Sequence, residues 1–199
     1  MGVACSSFPV LWICGPSGVG KSTVGWELYR VTLGSSGVRG AYVDLDQISF
    51  CRPEPGDDPD NHRIKMANLG AIWSNYLSSG ARFLVMTGIV DDHDTIAAYR
   101  RVLDGTALTV CRLRVNVQQL RERIFLRGAG IGPPLAGDDL KARSSEFLSQ
   151  FADVSVENAA QIEEAGIGDV IVDTDGLAVT QVVDAVRAAT GEWPGTLWS

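Results

Sequence analysis

A glycine-rich segment at residues 15–23 constrains the fold of this chain more than any other feature. It reads GPSGVGKST and directly follows the apolar run VLWIC at residues 10–14. The apolar run predicts a buried β-strand, and the residues from Lys21 to about Leu33 predict a helix. A glycine-rich turn between a strand and a helix points several backbone N–H groups inward, next to the positive end of the helix dipole. The segment therefore predicts a binding site for a polyphosphate.

The spacing of this loop is that of the Walker A or P-loop motif: Gly15, four residues, Gly20, Lys21 and Ser22. In this motif the lysine contacts the β- and γ-phosphates and the serine hydroxyl ligates Mg²⁺. We therefore expect ATP and Mg²⁺ as cofactors, with Lys21 as a catalytic residue and Ser22 as a metal ligand. The expected phosphate contacts are Gly15, Pro16, Ser17, Gly18, Val19, Gly20, Lys21, Ser22 and Thr23. The alternative is a glycine-rich turn that binds no ligand.

Length and charge restrict the class of protein further. A chain of 199 residues predicts a single domain, 1–199, with one buried core. No apolar stretch reaches the roughly 18 to 20 residues that span a bilayer, so no membrane partner is expected. A formal net charge of −7 argues against nucleic acid as a partner. The four cysteines have neither metal-site nor disulfide spacing, which favours the cytoplasm as the location.

Strand-like and helix-like segments alternate along the whole chain. The predicted strands lie at 10–14, 41–45, 82–87, 107–115 and 169–172, and the predicted helices at 21–33, 61–79, 95–103, 118–127, 139–165 and beyond 179. Such alternation is typical of an α/β fold whose parallel sheet is covered by helices on both faces.

Two aspartates, Asp44 and Asp46, lie at the end of the second predicted strand, in VDLDQI. Residues two apart on an extended chain point their side chains the same way, and ligands of open α/β sheets gather at the carboxyl ends of the strands. Both carboxylates can therefore reach one site, where one holds a metal-bound water and the other accepts a proton from a substrate hydroxyl. The alternative is a pair of solvated turn carboxylates.

A Walker A segment followed by a DxD at the next strand end resembles the small-molecule kinases of the shikimate and gluconate kinase type. VDLDQI is similar to the shikimate kinase segment, residues 61–90 resemble adenylylsulfate kinases, and the spacing of Asp46 and Pro53 resembles chloramphenicol phosphotransferase. The resemblance implies a three-layer P-loop fold, strand order 2-3-1-4-5, and a lid. It also implies that Asp46 is the catalytic base or substrate anchor and that Asp44 belongs to the magnesium shell.

The sequence departs from two of these families. Thr87, Gly88, Ile89 and Val90 stand where shikimate kinases have a glycine triplet. Leu45 and Gln47 replace the Gly and Asn of the adenylylsulfate kinase DGDN motif. Both departures argue against shikimate and adenylylsulfate as the acceptor.

A pair of arginines on the predicted fourth helix forms the candidate lid. Arg123 and Arg127 lie four residues apart, on one side of a helix that runs into the glycine- and proline-rich segment 128–137. A closing lid that delivers cations stabilises the charge on the transferred phosphoryl group and excludes water. The pattern resembles the lid of nucleoside monophosphate kinases and implies a lid at 123–143, with Arg123 and Arg127 catalytic and Arg143 as a substitute. The alternative is a solvated basic helix face.

The region 47–79 is predicted to bind the acceptor. Its first part, 47–60, contains three prolines and a glycine, which predict an irregular loop. The helix that follows stands where related kinases grip their acceptor. The expected substrate contacts are Arg52, His62, Lys65 and Asn68. The alternative for these residues is an ordinary helix and loop surface.

Two polar segments follow later strands. Residues 91–94 read DDHD, which is consistent either with a base at His93 or with the capping of a helix N-terminus, and capping is the preferred interpretation. Asp175 follows the last predicted strand, at a position that borders the adenine in this superfamily. We therefore expect Asp175 to be a nucleotide contact.

The leading functional interpretation is an ATP-dependent phosphotransferase whose partner is a small metabolite or antibiotic with an acceptor hydroxyl. One alternative is a nucleoside or nucleotide kinase, which needs a basic acceptor-phosphate site built from Arg52, Arg63 and Lys65. Another is a nucleotide-dependent switch or ATPase without an acceptor. No apolar strand ends in Asp with a neighbouring Glu or Gln to orient a hydrolytic water, which counts against the last alternative. The sequence leaves open the acceptor, ATP against GTP, and the oligomeric state.

Overall fold

The computed structural model describes residues 7–132, 140–191 and 193–194, which form alternating strands and helices. The strands are β1 (Phe8–Cys14), β2 (Gly40–Asp44), β3 (Phe83–Thr87), β4 (Thr106–Arg114) and β5 (Val170–Asp173). The helices are α1 (Lys21–Ser36), α2 (His62–Ser78), α3 (His93–Val102), α4 (Val117–Gly128), α5 (Ser145–Glu164) and α6 (Val179–Ala189). In the described part of the chain, no helix is both long enough and apolar enough to cross a membrane.

The strands form one parallel sheet in the order β2-β3-β1-β4-β5, which confirms the predicted topology. The register aligns the carboxyl ends of neighbouring strands, because Ile13 of β1 and Asp44 of β2 both pair with Thr87 of β3. The glycine loop after β1 and the aspartates after β2 therefore lie at the same edge of the sheet.

The alternation of side chains along β1 divides the core into two layers. Leu11 and Ile13 pack under α1, α4, α5 and α6, whereas Val10, Trp12 and Cys14 pack under α2 and α3. Every one of these side chains is fully buried, so β1 contributes apolar surface to both layers. The result is the predicted three-layer arrangement, with helices on both faces of the sheet.

Glycine is required where the chain turns from β1 into α1. Gly15 has a φ of 135°, and a Cβ built there would lie 2.6 Å from the carbonyl oxygen of Leu113. Gly20, at the start of α1, has a φ of 106°. Both positions favour glycine because of their left-handed backbone, and at Gly15 the close approach of β4 also excludes a Cβ.

The main error in the predicted elements concerns α5, which begins at Ser145 and not at residue 139. Ala142 has a φ of 61°, which does not continue a helix, and the Ser144 hydroxyl accepts a hydrogen bond from the Phe147 N–H as a helix cap. Residues 133–139 of the predicted lid lie outside the described residues. Smaller differences at other ends also follow from caps, since Gly37 ends α1 in a left-handed conformation.

Candidate active site

The carboxyl ends of β1 and β2 open into a cavity of about 360 Å³. One wall consists of the P-loop residues Ser17, Gly18, Gly20, Lys21, Ser22 and Thr23. A second wall is formed by residues that follow β2, among them Asp44, Asp46, Phe50, Arg52 and Asp60, together with Lys65 of α2. Arg127, Leu140 and Phe151 line a third side. The cavity therefore brings together residues from both halves of the predicted site.

Lys21 lies on the P-loop wall with its ammonium group held by the loop. Its Nζ donates a hydrogen bond of 3.1 Å to the carbonyl oxygen of Pro16, and its side chain is largely buried. Burial lowers the pKa of Lys21, although the carboxylates of Asp46 and Asp44 oppose this shift. The lysine thus lies in a polar pocket whose charge balance depends on the two aspartates.

Gly15, Pro16 and Val19 belong to the loop but do not line the cavity. The carbonyl oxygens of Pro16 and Val19 accept hydrogen bonds from Lys21 and Arg123. These three residues therefore shape the loop, and their direct contact with a nucleotide stays a prediction.

Asp44 and Asp46 flank Leu45, which is fully buried, so both aspartates turn toward the cavity as predicted from their spacing. An Oδ1 atom of Asp44 accepts a hydrogen bond of 3.0 Å from the backbone N–H of Asp46, which fixes the two residues relative to each other. The carboxylate of Asp46 also accepts a 2.8 Å hydrogen bond from Nζ of Lys65.

The surroundings of Asp46 favour its ionised form. Burial alone would raise the pKa of Asp46, but the charges of Lys65 and Lys21 and the hydrogen bond from Lys65 outweigh it and lower the pKa below the ordinary value. An ionised carboxylate that remains about half exposed can accept a proton from a ligand in the cavity.

Lys65 is the least expected member of the site. Its side chain is only 4% exposed, and its ammonium group forms an ion pair with Asp46. A buried ammonium is costly unless it is paired, so Asp46 and Lys65 depend on each other. The spacing on α2 identified Lys65 as a polar residue of the acceptor region, but its partner Asp46 follows β2, and this pairing has no signal in the sequence.

Two asparagines of the acceptor region hold the loop at 47–60 through their amide groups, and of the two Asn61 also lines the cavity. The Nδ2 of Asn61 donates to the carbonyl oxygens of Ser49 and Cys51, at 3.2 and 3.0 Å. The Nδ2 of Asn68 donates to the carbonyl oxygen of Ile48 at 2.7 Å. Asn68, a predicted substrate contact, thus donates a hydrogen bond to the loop backbone. Asn61 was not identified from the sequence as a functional candidate.

The loop is also held at the start of α2. The carboxylate of Asp58 is buried and accepts hydrogen bonds from the backbone N–H groups of His62 and Arg63, at 2.7 and 3.0 Å. Arg63 in turn donates two hydrogen bonds to the exposed carboxylate of Asp57. Asp58 therefore caps the helix, a role that an Asp shortly before a helical stretch can signal in a sequence.

His62, a predicted substrate contact, does not line the cavity. Its Nδ1 is 3.1 Å from the hydroxyl oxygen of Tyr99, and the two rings meet edge to face. Burial, followed by the charge of Lys65, lowers the pKa of His62. The imidazole is therefore in the neutral form in the neutral pH range and packs against the core.

Arg123 and Arg127 lie on the same side of α4, but their side chains contact different parts of the protein. Arg127 lines the cavity. Arg123 donates to the carbonyl oxygens of Val19 and Thr174, each at 2.9 Å, and to the hydroxyl of Thr174 at 3.0 Å. Arg123 therefore connects the P-loop to the segment after β5, and of the two arginines only Arg127 faces the cavity.

Asp175 and His93 both lie outside the cavity. The carboxylate of Asp175 accepts hydrogen bonds from the backbone and side-chain nitrogens of Asn116, which caps α4. The neighbouring Asp92 caps α3 by accepting from the Thr95 N–H, and His93 Nε2 lies 2.9 Å from the carbonyl oxygen of Ala165. The structure thus confirms the capping interpretation of residues 91–94.

The residues present fit a Mg²⁺ ion held jointly with phosphate. Ser22 and Asp44, the two predicted ligands, line the same cavity. Across the described ranges, no group of three or more His, Cys, Asp or Glu residues forms a metal cage of its own. Mg²⁺ commonly binds through one or two protein oxygens plus phosphate and water, so a nucleotide would complete such a site.

A parallel sheet of order 2-3-1-4-5 with a Walker A loop after its central strand is a P-loop fold, and solved small-molecule kinases share it. The chain is similar to the solved tunicamycin resistance protein of Deinococcus radiodurans, with 19% identity, a TM-score of 0.55, and 92% of this chain and 96% of that one covered. A gluconokinase from Sinorhizobium meliloti has 18% identity and a TM-score of 0.57, over 92% and 94% of the chains.

A third similar structure is the Mycobacterium tuberculosis adenylylsulfate (APS) kinase in complex with AMPPNP and APS. It has 16% identity and a TM-score of 0.55, over 93% of this chain and 98% of that one. No protein-family model and no curated protein matches the sequence. At these identities the similarity establishes the fold, and the activity has to be argued from the site.

Proposed function

We propose that this chain is an ATP-dependent phosphotransferase that moves the γ-phosphate to a hydroxyl group of a small metabolite or antibiotic. The observation that carries the proposal is the presence of Lys21, Ser22 and an ionised Asp46 around one cavity. Solved P-loop kinases of the same fold support it, and one of them holds AMPPNP, an ATP analogue. The cavity volume lies in the range of small-molecule sites.

The P-loop wall is the proposed nucleotide half. Its backbone N–H groups and the ammonium group of Lys21 bind the β- and γ-phosphates, where they offset charge in the ground state and in the transition state. Ser22 and Asp44 are the residues that would hold Mg²⁺, which supplies further charge neutralisation on the phosphates. Arg127, on the third side of the cavity, is the proposed lid cation.

Asp46 is the proposed general base of the acceptor half. The acceptor hydroxyl donates its proton to the Asp46 carboxylate as its oxygen forms a bond to the γ-phosphorus. The bond between that phosphorus and the β,γ-bridging oxygen breaks, and ADP leaves. A positioned base of this kind typically contributes about 10²- to 10⁴-fold to the rate.

The test is acceptor-dependent release of ADP by the purified protein. With MgATP alone we expect background turnover, and with the right hydroxyl compound a rate well above it. Vigorous turnover without any acceptor would contradict the proposal and favour an ATPase.

Substitution of the base gives the sharper version of this test. Asp46→Asn is expected to abolish transfer while MgATP affinity stays nearly unchanged. Asp57→Asn, at an exposed aspartate of the same loop, is the matched control and should keep the activity. Because Asp46→Asn leaves Lys65 unpaired, thermal melting must show that the variant is folded. Full activity of a folded Asp46→Asn protein would remove Asp46 as the base.

A further inference from the structure

The distribution of basic side chains around the cavity restricts the charge of the acceptor. The chain has 17 Lys and Arg residues, and none of them lies in the segments outside the described ranges. Four of them line the cavity: Lys21, Arg52, Lys65 and Arg127. Lys21 belongs to the P-loop and Arg127 to the lid side. We call the wall formed by the residues after β2 and by Lys65 the acceptor wall. Only Arg52 and Lys65 on this wall can bind an anionic group.

Both cations of the acceptor wall are already paired with carboxylates of the protein. Lys65 forms its buried ion pair with Asp46 at 2.8 Å, and Arg52 forms an ion pair with Glu54. Arg63, the next basic residue along the chain, lies outside the cavity lining and pairs with Asp57 at 2.8 Å. An anionic acceptor would have to displace one of these carboxylates.

The same wall holds an uncompensated carboxylate. Asp60 lines the cavity, and within the described part of the chain no basic group lies at ion-pair distance from it. Phe50, 54% exposed, lines the same cavity and provides an apolar contact surface. Asp60 repels a negatively charged acceptor and attracts a positively charged one.

We infer that the acceptor carries no negative charge and is an uncharged or amine-bearing hydroxyl compound, not a hydroxy acid or a phosphorylated compound. This inference rests on the proposed phosphotransferase function, and it disfavours the nucleotide kinase alternative, which needs free cations from Arg52, Arg63 and Lys65. Desolvating an anion beside paired cations and a free carboxylate costs affinity and gains no new ion pair.

The first test compares acceptors that share a carbon skeleton but differ in charge. Sets such as glucose, glucosamine and gluconate, and further polyols with their amino and carboxylic forms, are offered with saturating MgATP while ADP release is followed. For each skeleton that supports turnover, kcat/KM of the neutral or amino form should exceed that of the acid by on the order of tenfold or more. A preference for the acid form would overturn the inference.

A second test reads the charge of the acceptor wall without needing turnover. Cys51 is exposed and lies between the cavity residues Phe50 and Arg52, whereas Cys14 and Cys111 are buried. In a Cys5→Ser background, Cys51 is labelled with a trimethylammonium-ethyl or a sulfonatoethyl methanethiosulfonate. Each reagent transfers its thioalkyl group to the thiolate as methanesulfinate leaves. The labelling rate with the cationic reagent is divided by the rate with the anionic reagent. This ratio is then divided by the same ratio for a small free thiol, which corrects for the intrinsic reactivity of the reagents.

The normalised ratio should favour the cationic reagent and should fall in Asp60→Asn. Asp104→Asn, which removes the same charge at an exposed turn distant in sequence, is the matched control and should leave the ratio unchanged. A ratio that favours the anionic reagent would overturn the inference. If no acceptor gives turnover, the proposed function is in doubt, but the labelling ratio still decides the charge of this wall.

Discussion

The ion pair between Lys65 and Asp46 controls the ionisation of the proposed base. Because the pKa of Asp46 is lowered in the folded protein, its carboxylate stays ionised as the pH falls below the usual range for aspartate. In Lys65→Met, burial should dominate and raise the pKa of Asp46. We therefore expect the acid limb of the pH profile of kcat/KM to move to higher pH, so that activity is lost sooner on acidification.

Lys65→Arg keeps a positive charge near Asp46 and should move the acid limb much less than Lys65→Met does. Arg101→Met removes an exposed positive charge on α3, outside the cavity lining, and serves as the control for the loss of one charge. The measurement is kcat/KM between about pH 5 and 8, with thermal melting to confirm folding. An acid limb that is identical in Lys65→Met and the parent protein would show that Lys65 does not tune Asp46.

At this scale the sequence identified which residue types surround the site but not how they pair. The Walker A loop, Asp44 and Asp46 follow from motif and spacing, and the structure places them around one cavity. The contact of Lys65 with Asp46 joins α2 to the end of β2, and its geometry depends on the path of the loop between them. Because no local pattern encodes that path, Lys65 could be assigned to the acceptor region only.

At the scale of elements, the buried side chain of Asn61 makes two of the hydrogen bonds that hold the loop at 47–60. Asn61 has a φ of 55° and donates to two carbonyl groups of the loop. Asn61→Ala loses both hydrogen bonds and keeps a strained left-handed backbone. We expect it to lower the free energy of unfolding by about 1–3 kcal/mol and to raise KM for the acceptor.

Asn61→Gly separates the two causes, because it loses the same hydrogen bonds but adopts a positive φ without strain. It should be more stable than Asn61→Ala by about 1 kcal/mol. Urea denaturation measures both variants. Equal stability of Asn61→Ala and the parent protein would exclude a bracing role for this residue.

Helix α4 presents two arginines with different expected roles. Arg123→Met removes three hydrogen bonds that connect the P-loop to the segment after β5, so it should chiefly reduce stability, by about 1.5–3 kcal/mol. Arg127→Met should chiefly slow phosphoryl transfer, by about a hundredfold, because the lid cation stabilises transition-state charge.

The melting temperature and kcat are measured for both variants, and each variant serves as the control for the other. A slow but stable Arg123→Met protein would reverse the assignment. The sequence predicted both arginines as a pair because their spacing of four residues puts them on one side of the helix. The two side chains make different contacts because Arg123 reaches Val19 and Thr174, whereas Arg127 lines the cavity. Helical periodicity does not report the position of Thr174.

At the scale of the whole molecule, the fold was predictable and the ends of its elements were less so. Alternating apolar runs and amphipathic stretches predict a parallel sheet, and the resemblance to P-loop kinases supplies the strand order that the hydrogen-bonded pairing of β1 to β5 then shows. The start of α5 was wrong because a single residue, Ala142, adopts a left-handed conformation that its identity does not signal.

The position of the P-loop at the sheet edge predicts that the proposed nucleotide binding is coupled to the stability of the entire chain. The P-loop connects β1 to α1, and Gly15 packs against Leu113 of β4, so a ligand on this loop binds only the folded state. Such a ligand stabilises by about 2.7 kcal/mol at a hundredfold excess over its Kd. We therefore expect MgATP to raise the melting temperature, and ATP with EDTA to raise it less, because Ser22 and Asp44 then lack the ion that joins them to the phosphates.

Three variants separate the halves of the site in this experiment. Lys21→Met should lose most of the MgATP shift, because the β- and γ-phosphates lose their ammonium contact. Ser22→Ala should lose the difference between MgATP and ATP with EDTA. Asp46→Asn should keep a shift close to that of the parent protein, because its proposed partner is the acceptor. The opposite result would be a MgATP-induced rise in melting temperature that is lost in Asp46→Asn but kept in Lys21→Met. It would mean that the nucleotide binds on the Asp46 side, and it would refute the proposed arrangement.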